Sequence, residues 1–175
     1  MKKISTILMS VLILTGCGSI DGNQYIDKNP AFNLKEFFTG DLKAWGIVQD
    51  RSGNVVNRFD IDLVGTWDGN EGKLVEDFFY YDGKEQQRIW YITDKGDGNY
   101  VGRADDIVDE AQGVSFGNAA NWKYVMDVPV GDKTYRMTLD DWFWQMNDDV
   151  LMNRSYMKKF GITFAEITIF MQKVK

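Results

Sequence analysis

The segment that decides the fold is VVNRFDIDLVGTWDGNEGKLVEDFFYYDGKE, residues 55–85. Between residues 55 and 67 the odd positions are mostly apolar, whereas the even positions are mostly charged or polar. This two-residue period is typical of a β-strand with one buried face. The turn-forming sequence DGNEG (68–72) then leads into a second apolar run, KLVEDFFYY (73–81). The segment therefore predicts a β-hairpin.

The same pattern continues along the rest of the chain. The alternation returns between residues 122 and 130, where the even positions carry the large aromatic and aliphatic side chains. Strands joined by tight hairpins predict an all-β fold, a single antiparallel up-and-down barrel of about 8–10 strands. Residues 103–121 are the least regular, and we predict a bulged strand or a loop across one barrel mouth. Further turn signals are DRSGN (50–54), YDGKE (81–85), DKGDGN (94–99) and VGDK (130–133).

One predicted strand, residues 73–81, is apolar on both faces. Phe78 and Tyr80 alternate with Phe79 and Tyr81. One interpretation is a strand that lies under a covering loop or tether. The other is a barrel whose interior is a partly filled cavity with an aromatic and polar lining.

The N-terminus predicts a lipoprotein signal. Lys2 and Lys3 precede an apolar run too short to span a membrane, which ends at LTGC and Cys17. This ending resembles a bacterial lipobox, which implies cleavage before Cys17 and acylation of that cysteine; the alternative is a plain secretory signal. We therefore predict a signal peptide over 1–16, a lipidated N-terminus and tether over 17–35, and the barrel domain over 36–175. The glycine that follows Cys17 implies a lipid-anchored protein of the outer membrane, facing the periplasm.

Charge and composition exclude several classes of function. Removing residues 1–16 takes away two lysines and no acid, so the net charge moves from −6 to −8. An acidic chain has no electrostatic footprint for nucleic acid, and we expect membrane contact only through the acyl chains on Cys17. Histidine is absent and Cys17 is the only cysteine, which removes serine-triad and zinc-thiolate chemistry. Carboxylate chemistry remains, either as an acid pair of the glycosidase kind or as a calcium site.

No acidic group in the sequence is a convincing metal site. The stretch 94–99 superficially resembles a calcium loop but lacks the glutamate that closes one. The acidic run at 105–110 is more typical of a solvated surface. Glu76 and Asp77 are adjacent in a strand, so their side chains point to opposite faces and cannot form a catalytic pair with each other. We predict no metal and no cofactor.

The stretch TLDDWFWQMNDDVLMNRS, residues 138–155, predicts a hairpin that turns near residue 147. This register places Asp140 opposite Arg154 beside Trp142, and a one-residue shift would place Asp141 there instead. One interpretation is a structural ion pair, Asp140 with Arg154, that closes one end of the barrel. The other is an arginine that binds a ligand carboxylate inside a cavity of fatty-acid size.

Several short motifs together resemble a known family. They are Asp50-Arg51-Ser52-Gly53, Gly65-Thr66-Trp67, Arg88-Ile89-Trp90, Tyr100-Val101-Gly102-Arg103, Asp140-Asp141-Trp142 and Asn153-Arg154. Over roughly residues 36–172 the chain resembles an uncharacterised group of small Gram-negative lipoproteins, a domain of unknown function with a lipocalin-like (calycin) barrel. The resemblance implies a barrel, an envelope location and no established activity.

The leading functional hypothesis is a non-enzymatic binder or carrier of a fatty acid or another lipid-like ligand. Its candidate ligand-binding residues are Arg154, Trp142, Trp67, Trp90, Trp122 and Tyr124. One alternative is a structural or assembly partner in the cell envelope that docks through exposed aromatic side chains. A second is a carboxylate-dependent enzyme acting on envelope lipid or sugar, which requires two acids facing one cavity.

Overall fold

The chain folds into one closed barrel of ten antiparallel strands. A computed structural model describes residues 19–175. Each strand pairs with its neighbours in sequence, and β1 pairs with β10 to close the sheet, which confirms the predicted up-and-down barrel. A 3₁₀ turn (Gly22–Tyr25) and a short helix, α1 (Leu34–Phe37), precede the first strand. The strands are β1 (Gly40–Asp50), β2 (Val55–Asp68), β3 (Glu71–Tyr80), β4 (Glu85–Gly96), β5 (Asn99–Arg103), β6 (Ile107–Phe116), β7 (Ala119–Val130), β8 (Lys133–Asn147), β9 (Val150–Lys159) and β10 (Ile162–Lys173).

The alternation seen in the sequence assigns the strand faces of β2 and β7 correctly. The odd positions of β2, such as Ile61 and Leu63, point inward and are almost fully buried. The even positions of β7, such as Trp122 and Tyr124, are likewise buried. Apolar side chains therefore line the barrel, as expected for a closed sheet with one face in water.

Strand β3 is not covered from outside. Phe78 and Tyr80 point into the barrel, whereas Phe79 and the following Tyr81 are exposed to solvent. Of the two interpretations of this strand, the structure agrees with the interior cavity and not with a covering segment.

The end of the barrel nearest the N-terminus is closed by residues 32–38, which we call the plug. Lys35 Nζ donates a hydrogen bond to the carbonyl oxygen of Gly69 (2.5 Å), in the β2–β3 turn. The indole N–H of Trp67 donates to the carbonyl oxygen of Phe38 (3.2 Å). Three phenylalanines and one leucine of the plug are buried: Phe32, Leu34, Phe37 and Phe38.

A glycine in β2 allows the plug to approach the barrel wall. A Cβ atom at Gly65 would lie 1.8 Å from the carbonyl oxygen of Phe38, far inside van der Waals contact. Any larger residue at this position would displace the plug backbone. The helix of the plug is capped by Asn33, whose Oδ1 accepts a hydrogen bond from the backbone N–H of Glu36 (3.1 Å).

We call the opposite end of the barrel the mouth. It is formed by the connections that follow β1, β3, β5, β7 and β9, at residues 51–54, 81–84, 104–106, 131–132 and 160–161. No part of the plug reaches these turns. The mouth is therefore the end of the barrel that the plug leaves uncovered.

The N-terminal segment packs on the barrel more closely than a tether. Gly22 lies against the ring of Phe116, and the backbone N–H of Phe32 donates to the carbonyl oxygen of Gly117 (2.7 Å). Part of the segment predicted as a tether therefore lies against the barrel, and the sequence gives no periodic signal over this short irregular stretch from which that packing could be predicted. Cys17 and the predicted signal peptide lie outside the described residues.

The irregular stretch 103–121 contains a bulged strand, as predicted. The pairing of β6 with β7 is irregular between Val108 and Gln112, and Asp109 has a φ of +62°. A bulge of this kind bends a strand and redirects its side chains. The stretch 94–99 is a plain hairpin between β4 and β5. Within residues 19–175, none of the helices has the length and apolar character needed to cross a membrane.

Candidate ligand-binding cavity

The barrel encloses a cavity of about 840 Å³ that extends from the plug to the mouth. Its floor includes Leu34 and Phe38 of the plug, and its upper wall includes Val130 and Phe164 near the mouth turns. Cavities that bind cofactors or drug-sized ligands commonly have volumes of roughly 300–1,000 Å³. The space is therefore sufficient for a small molecule.

The wall of the cavity is rich in aromatic side chains. The ring of Trp90 meets Trp122 edge to face at a centroid distance of 5.5 Å, and it meets Tyr124 in the same way at 5.3 Å. Phe59 and Phe78 lie 5.6 Å apart on the neighbouring strands. Such tilted contacts are favourable for aromatic pairs and hold the rings in fixed positions. An apolar ligand would therefore meet a preformed surface.

Polar side chains interrupt this apolar wall, and six of them form one group. We call them the polar cluster: Glu76, Arg88, Asp106, Tyr124, Asp141 and Ser155. Arg88 is a β4 residue, and Asp106 belongs to the β5–β6 connection at the mouth. The guanidinium of Arg88 donates from Nε to Asp106 Oδ1 (3.1 Å) and from Nη2 to Oδ2 (2.6 Å). The two groups form a bidentate ion pair, which is the strongest geometry for an arginine and a carboxylate.

Glu76 is the cross-strand neighbour of Arg88, and both side chains line the cavity. Burial raises the pKa of Glu76 to about 7, and the nearby positive charge of Arg88 opposes that rise. The carboxyl group is therefore only partly ionised at neutral pH. Within residues 19–175 it forms no salt bridge, because the charge of Arg88 is already engaged by Asp106.

A second buried acid lies on the facing strands. Burial raises the pKa of Asp141 to about 7, although the Ser155 hydroxyl donates a hydrogen bond to its carboxylate. Asp141 and Ser155 are direct cross-strand partners on β8 and β9. Burial also raises the pKa of Tyr124 well above its usual value, so this phenol stays neutral. The cluster thus combines one satisfied cation with two acids that titrate near neutrality.

Three of the six predicted ligand-binding residues line this cavity, namely Trp90, Trp122 and Tyr124. The other three lie elsewhere. Trp67 packs against the plug, where Gly72 makes room for its ring. Trp142 points out of the barrel and is covered by Tyr25 and Phe116, at centroid distances of 6.2 and 6.0 Å.

The predicted ion pair of Asp140 with Arg154 is wrong. Arg154 points outward, half-exposed, with its Nη1 3.8 Å from the carboxylate of Glu166. Asp140 instead binds Lys158, whose Nζ lies 2.5 Å from Oδ2.

The cause of this error is the register of the hairpin. The turn falls at residues 148–149, and a β-bulge lies between Gln145 and Asn147. Together they pair Trp142, and not Asp140 or Asp141, with Arg154. Asp148 and Asp149 are turn residues, as predicted.

The cavity-lining arginine that the sequence analysis missed is Arg88. The sequence does contain a sign of its role in the lining, because residues 88, 90 and 92 alternate along β4 and share one face. Trp90 and Ile92 on that face are buried. A charged residue on an otherwise apolar face is unusual enough to mark a site. Asp106 was assigned to a solvated acidic run, and the bulged segment around it offers no period from which its inward direction could be predicted.

Comparison with known proteins identifies a family. A family model described as a protein of unknown function (DUF3833) matches residues 11–173. The chain belongs to this family. The match spans the whole barrel and the plug, so the cavity lies within the region that defines DUF3833. No curated protein matches the chain in sequence.

A solved structure shares the fold of this DUF3833 chain. It is a protein of unknown function from the DUF3598 family of Nostoc punctiforme, with a TM-score of 0.57 and 12% sequence identity. The similarity covers 83% of the present chain and 50% of the other, so the chain spans about half the length of that structure. At this identity the similarity concerns the fold alone.

Proposed function

We propose that this protein is a non-enzymatic binder or carrier of a small, mainly apolar molecule, anchored to the cell envelope through Cys17. The observation that carries the proposal is the cavity of about 840 Å³, open at the mouth and lined mostly by apolar and aromatic side chains. Well-packed interiors leave few voids larger than a water molecule. A cavity of this size in so small a domain is therefore a feature that stability does not require.

The packing of the N-terminal segment supports an anchor at the closed end of the barrel. Gly22 is attached at the closed end through Phe116, and it lies only five positions after Cys17 in the sequence. Five extended residues span at most about 18 Å. A lipid on Cys17 would hold the closed end towards the membrane and leave the mouth facing away from it, which suits exchange of a ligand with the periplasm.

Native mass spectrometry tests the binding proposal. All ten strands and their pairings lie within residues 19–175, so the chain beginning at residue 17, with Cys17→Ser, contains the whole barrel. We expect it to retain a small apolar molecule after gentle purification from a bacterial envelope extract. Its identity would follow from extraction and fragmentation.

A matched pair of variants on β10 controls this experiment. Ala165→Trp places a bulky ring at the cavity wall, whereas Gln172→Trp adds the same ring to the exposed outer face. We expect only Ala165→Trp to lose the ligand. Equal occupancy in both variants, or an empty cavity in every preparation, would contradict the proposal.

The anchor has a separate test. We expect the full chain to incorporate labelled acyl chains and to fractionate with outer membranes, and Cys17→Ser to do neither. Release of an unlabelled wild-type chain into the periplasm would support the plain secretory signal instead.

A second candidate function is supported by the two titrating acids. Glu76 and Asp141 face one cavity, and the pKa of each is raised to about 7, as is typical of general acids and bases. An enzyme acting on an envelope lipid or sugar would use one as acid and one as base. The test is product formation from envelope extracts by mass spectrometry, in which Glu76→Gln abolishes turnover and the outward-facing neighbour Asp77→Asn does not.

A further inference from the structure

The charges inside the cavity restrict the polar group that a ligand can carry. Within the polar cluster three carboxyl groups, Glu76, Asp106 and Asp141, surround a single cation, Arg88. Among the cavity-lining residues of the described chain, the other cation is Lys84 at the mouth, which pairs with Asp82 at 2.9 Å. The cavity therefore has an excess of acidic groups and no unengaged positive charge at its centre.

Arg88 is poorly placed to bind a second carboxylate. Asp106 already occupies Nε and Nη2 of its guanidinium in bidentate geometry. The rings of Phe78 and Trp90 also lie close to the guanidinium, with centroids 5.7 and 5.9 Å from its carbon. A ligand carboxylate would have to displace Asp106 and would then lie close to Glu76 and Asp141. Like charges in such a low-dielectric site repel strongly.

Glu76, by contrast, has unused capacity for a hydrogen-bond donor. Its side chain lines the cavity and is buried, with 9% relative exposure. A hydrogen bond with the side chain of Trp90 lowers its pKa, and it forms no salt bridge among residues 19–175. A buried carboxyl without an ion-pair partner is costly to ionise. A ligand that brings a positive charge or a hydroxyl group to this position would supply the missing partner.

On this basis we infer that the ligand of the cavity has an apolar body and a hydrogen-bond-donating head, a protonated amine first and a hydroxyl second, and that it is not a fatty acid. This inference rests on the proposed binding function and specifies its ligand class. The amine lies at Glu76, within the polar cluster, and the tail lies against the aromatic wall formed by Trp90, Trp122 and Phe59.

Binding of the amine should depend on pH. Burial raises the pKa of both Glu76 and Asp141 to about 7, so their ionised fraction increases between about pH 5.5 and 8. The other titratable groups around Glu76 are Arg88, Asp106, Tyr80 and Tyr124, and Asp140 acts on Asp141 from the outer face of β8. Arg88 stays charged and both phenols stay neutral over this range, so the change in binding follows the two acids.

Three ligands with the same tail test the inference: decylamine, decanol and decanoate, each titrated below its micellar concentration by calorimetry into the Cys17→Ser chain. At about pH 7.5 we expect decylamine to bind at least about tenfold more tightly than decanoate, with decanol between them. The preference should increase with pH. In the double variant Glu76→Gln/Asp141→Asn the ratio of affinities should fall to within about threefold.

A matched control separates the cavity from the acidic surface. Asp77→Asn removes one carboxylate from the outer face of the same strand as Glu76, and it should keep the wild-type ratio. Decanoate binding as tightly as decylamine, or an unchanged ratio in the double variant, overturns the inference and leaves the binding function intact. Failure of all three ligands to bind overturns both.

Discussion

The two ends of the barrel use apolar side chains in opposite ways. At the closed end the plug buries its phenylalanines, and Phe37 retains only 2% of its exposure. At the mouth, apolar side chains remain in solvent, among them Val55, Tyr81 and Phe160, which is 91% exposed. Packing at the closed end stabilises the fold. At the mouth, apolar surface stays exposed to solvent and the interior stays open. We therefore assign stability to the closed end and ligand access to the mouth.

The same substitution at each end gives the largest expected contrast. Phe37→Ala removes a fully packed ring, for which large-to-small substitutions cost about 3–5 kcal/mol of the free energy of unfolding. Phe160→Ala removes a ring that contacts little protein, and we expect a change within about 0.5 kcal/mol. Urea denaturation followed by tryptophan fluorescence measures both. Similar losses of unfolding free energy in the two variants would mean that Phe160 is packed in solution. The two ends of the barrel would then not differ in this respect.

The next largest expected effect comes from the two buried acids inside the barrel, where substitution should raise the free energy of unfolding instead of lowering it. Glu76 and Asp141 have ordinary pKa values of 4.5 and 3.8, which burial raises to about 7 in the folded state. The folded chain therefore binds more protons than the unfolded chain between about pH 4 and 7. The stability contributed by the protonated acids is fully present below about pH 4 and is lost as the pH rises to about 7.

Amide substitutions remove this dependence. At about pH 8 we expect Glu76→Gln and Asp141→Asn each to raise the free energy of unfolding by the order of 2 kcal/mol, because neither amide has to ionise in a buried site. At about pH 4 the gain should disappear. Asp77→Asn, on the exposed side of β3, should change little at either pH. Destabilisation of both amide variants at pH 8 would mean that the ionised acids are already paired within the protein.

These buried acids also show how far the sequence predicts the site. The alternation along β2 and β7 correctly predicted which side chains line the barrel, because a strand has only two faces. The prediction failed at the β8–β9 hairpin, where the bulge between Gln145 and Asn147 changes the register. The partner of Arg154 changes by two residues, from Asp140 to Trp142, and a shift of two keeps all three side chains on one face of the sheet. That face was assigned to the inside because it carries tryptophans, and it lies outside. Bulges have no reliable sequence signal, whereas long alternating runs do.

The aromatic side chains of β8 illustrate a second limit. Trp142 was interpreted as a cavity residue, but it points outward, and both it and Trp144 contact Tyr25 of the N-terminal segment. A strand covered from outside was one of the two interpretations considered for β3, and it applies to β8 instead. The covering segment has no periodicity, so only the tertiary structure identifies the strand on which it lies.

The smallest expected change in stability comes from a substitution of Phe160, at the mouth. Phe160 and Gly161 form the β9–β10 turn with φ values of +52° and +77°, the backbone of a type I′ turn, which favours asparagine followed by glycine. A phenylalanine in this conformation is strained. We expect Phe160→Asn to stabilise the chain by about 0.5–1 kcal/mol, because asparagine tolerates the left-handed region and little packing is lost. Urea midpoints of Phe160→Asn and Phe160→Ala would separate relief of strain from loss of the ring: if the asparagine variant is no more stable than the alanine variant, the backbone at this turn is not strained in solution. A gain would mean that the aromatic side chain at the mouth is retained at a cost to stability, as expected for a surface kept for contact with ligand.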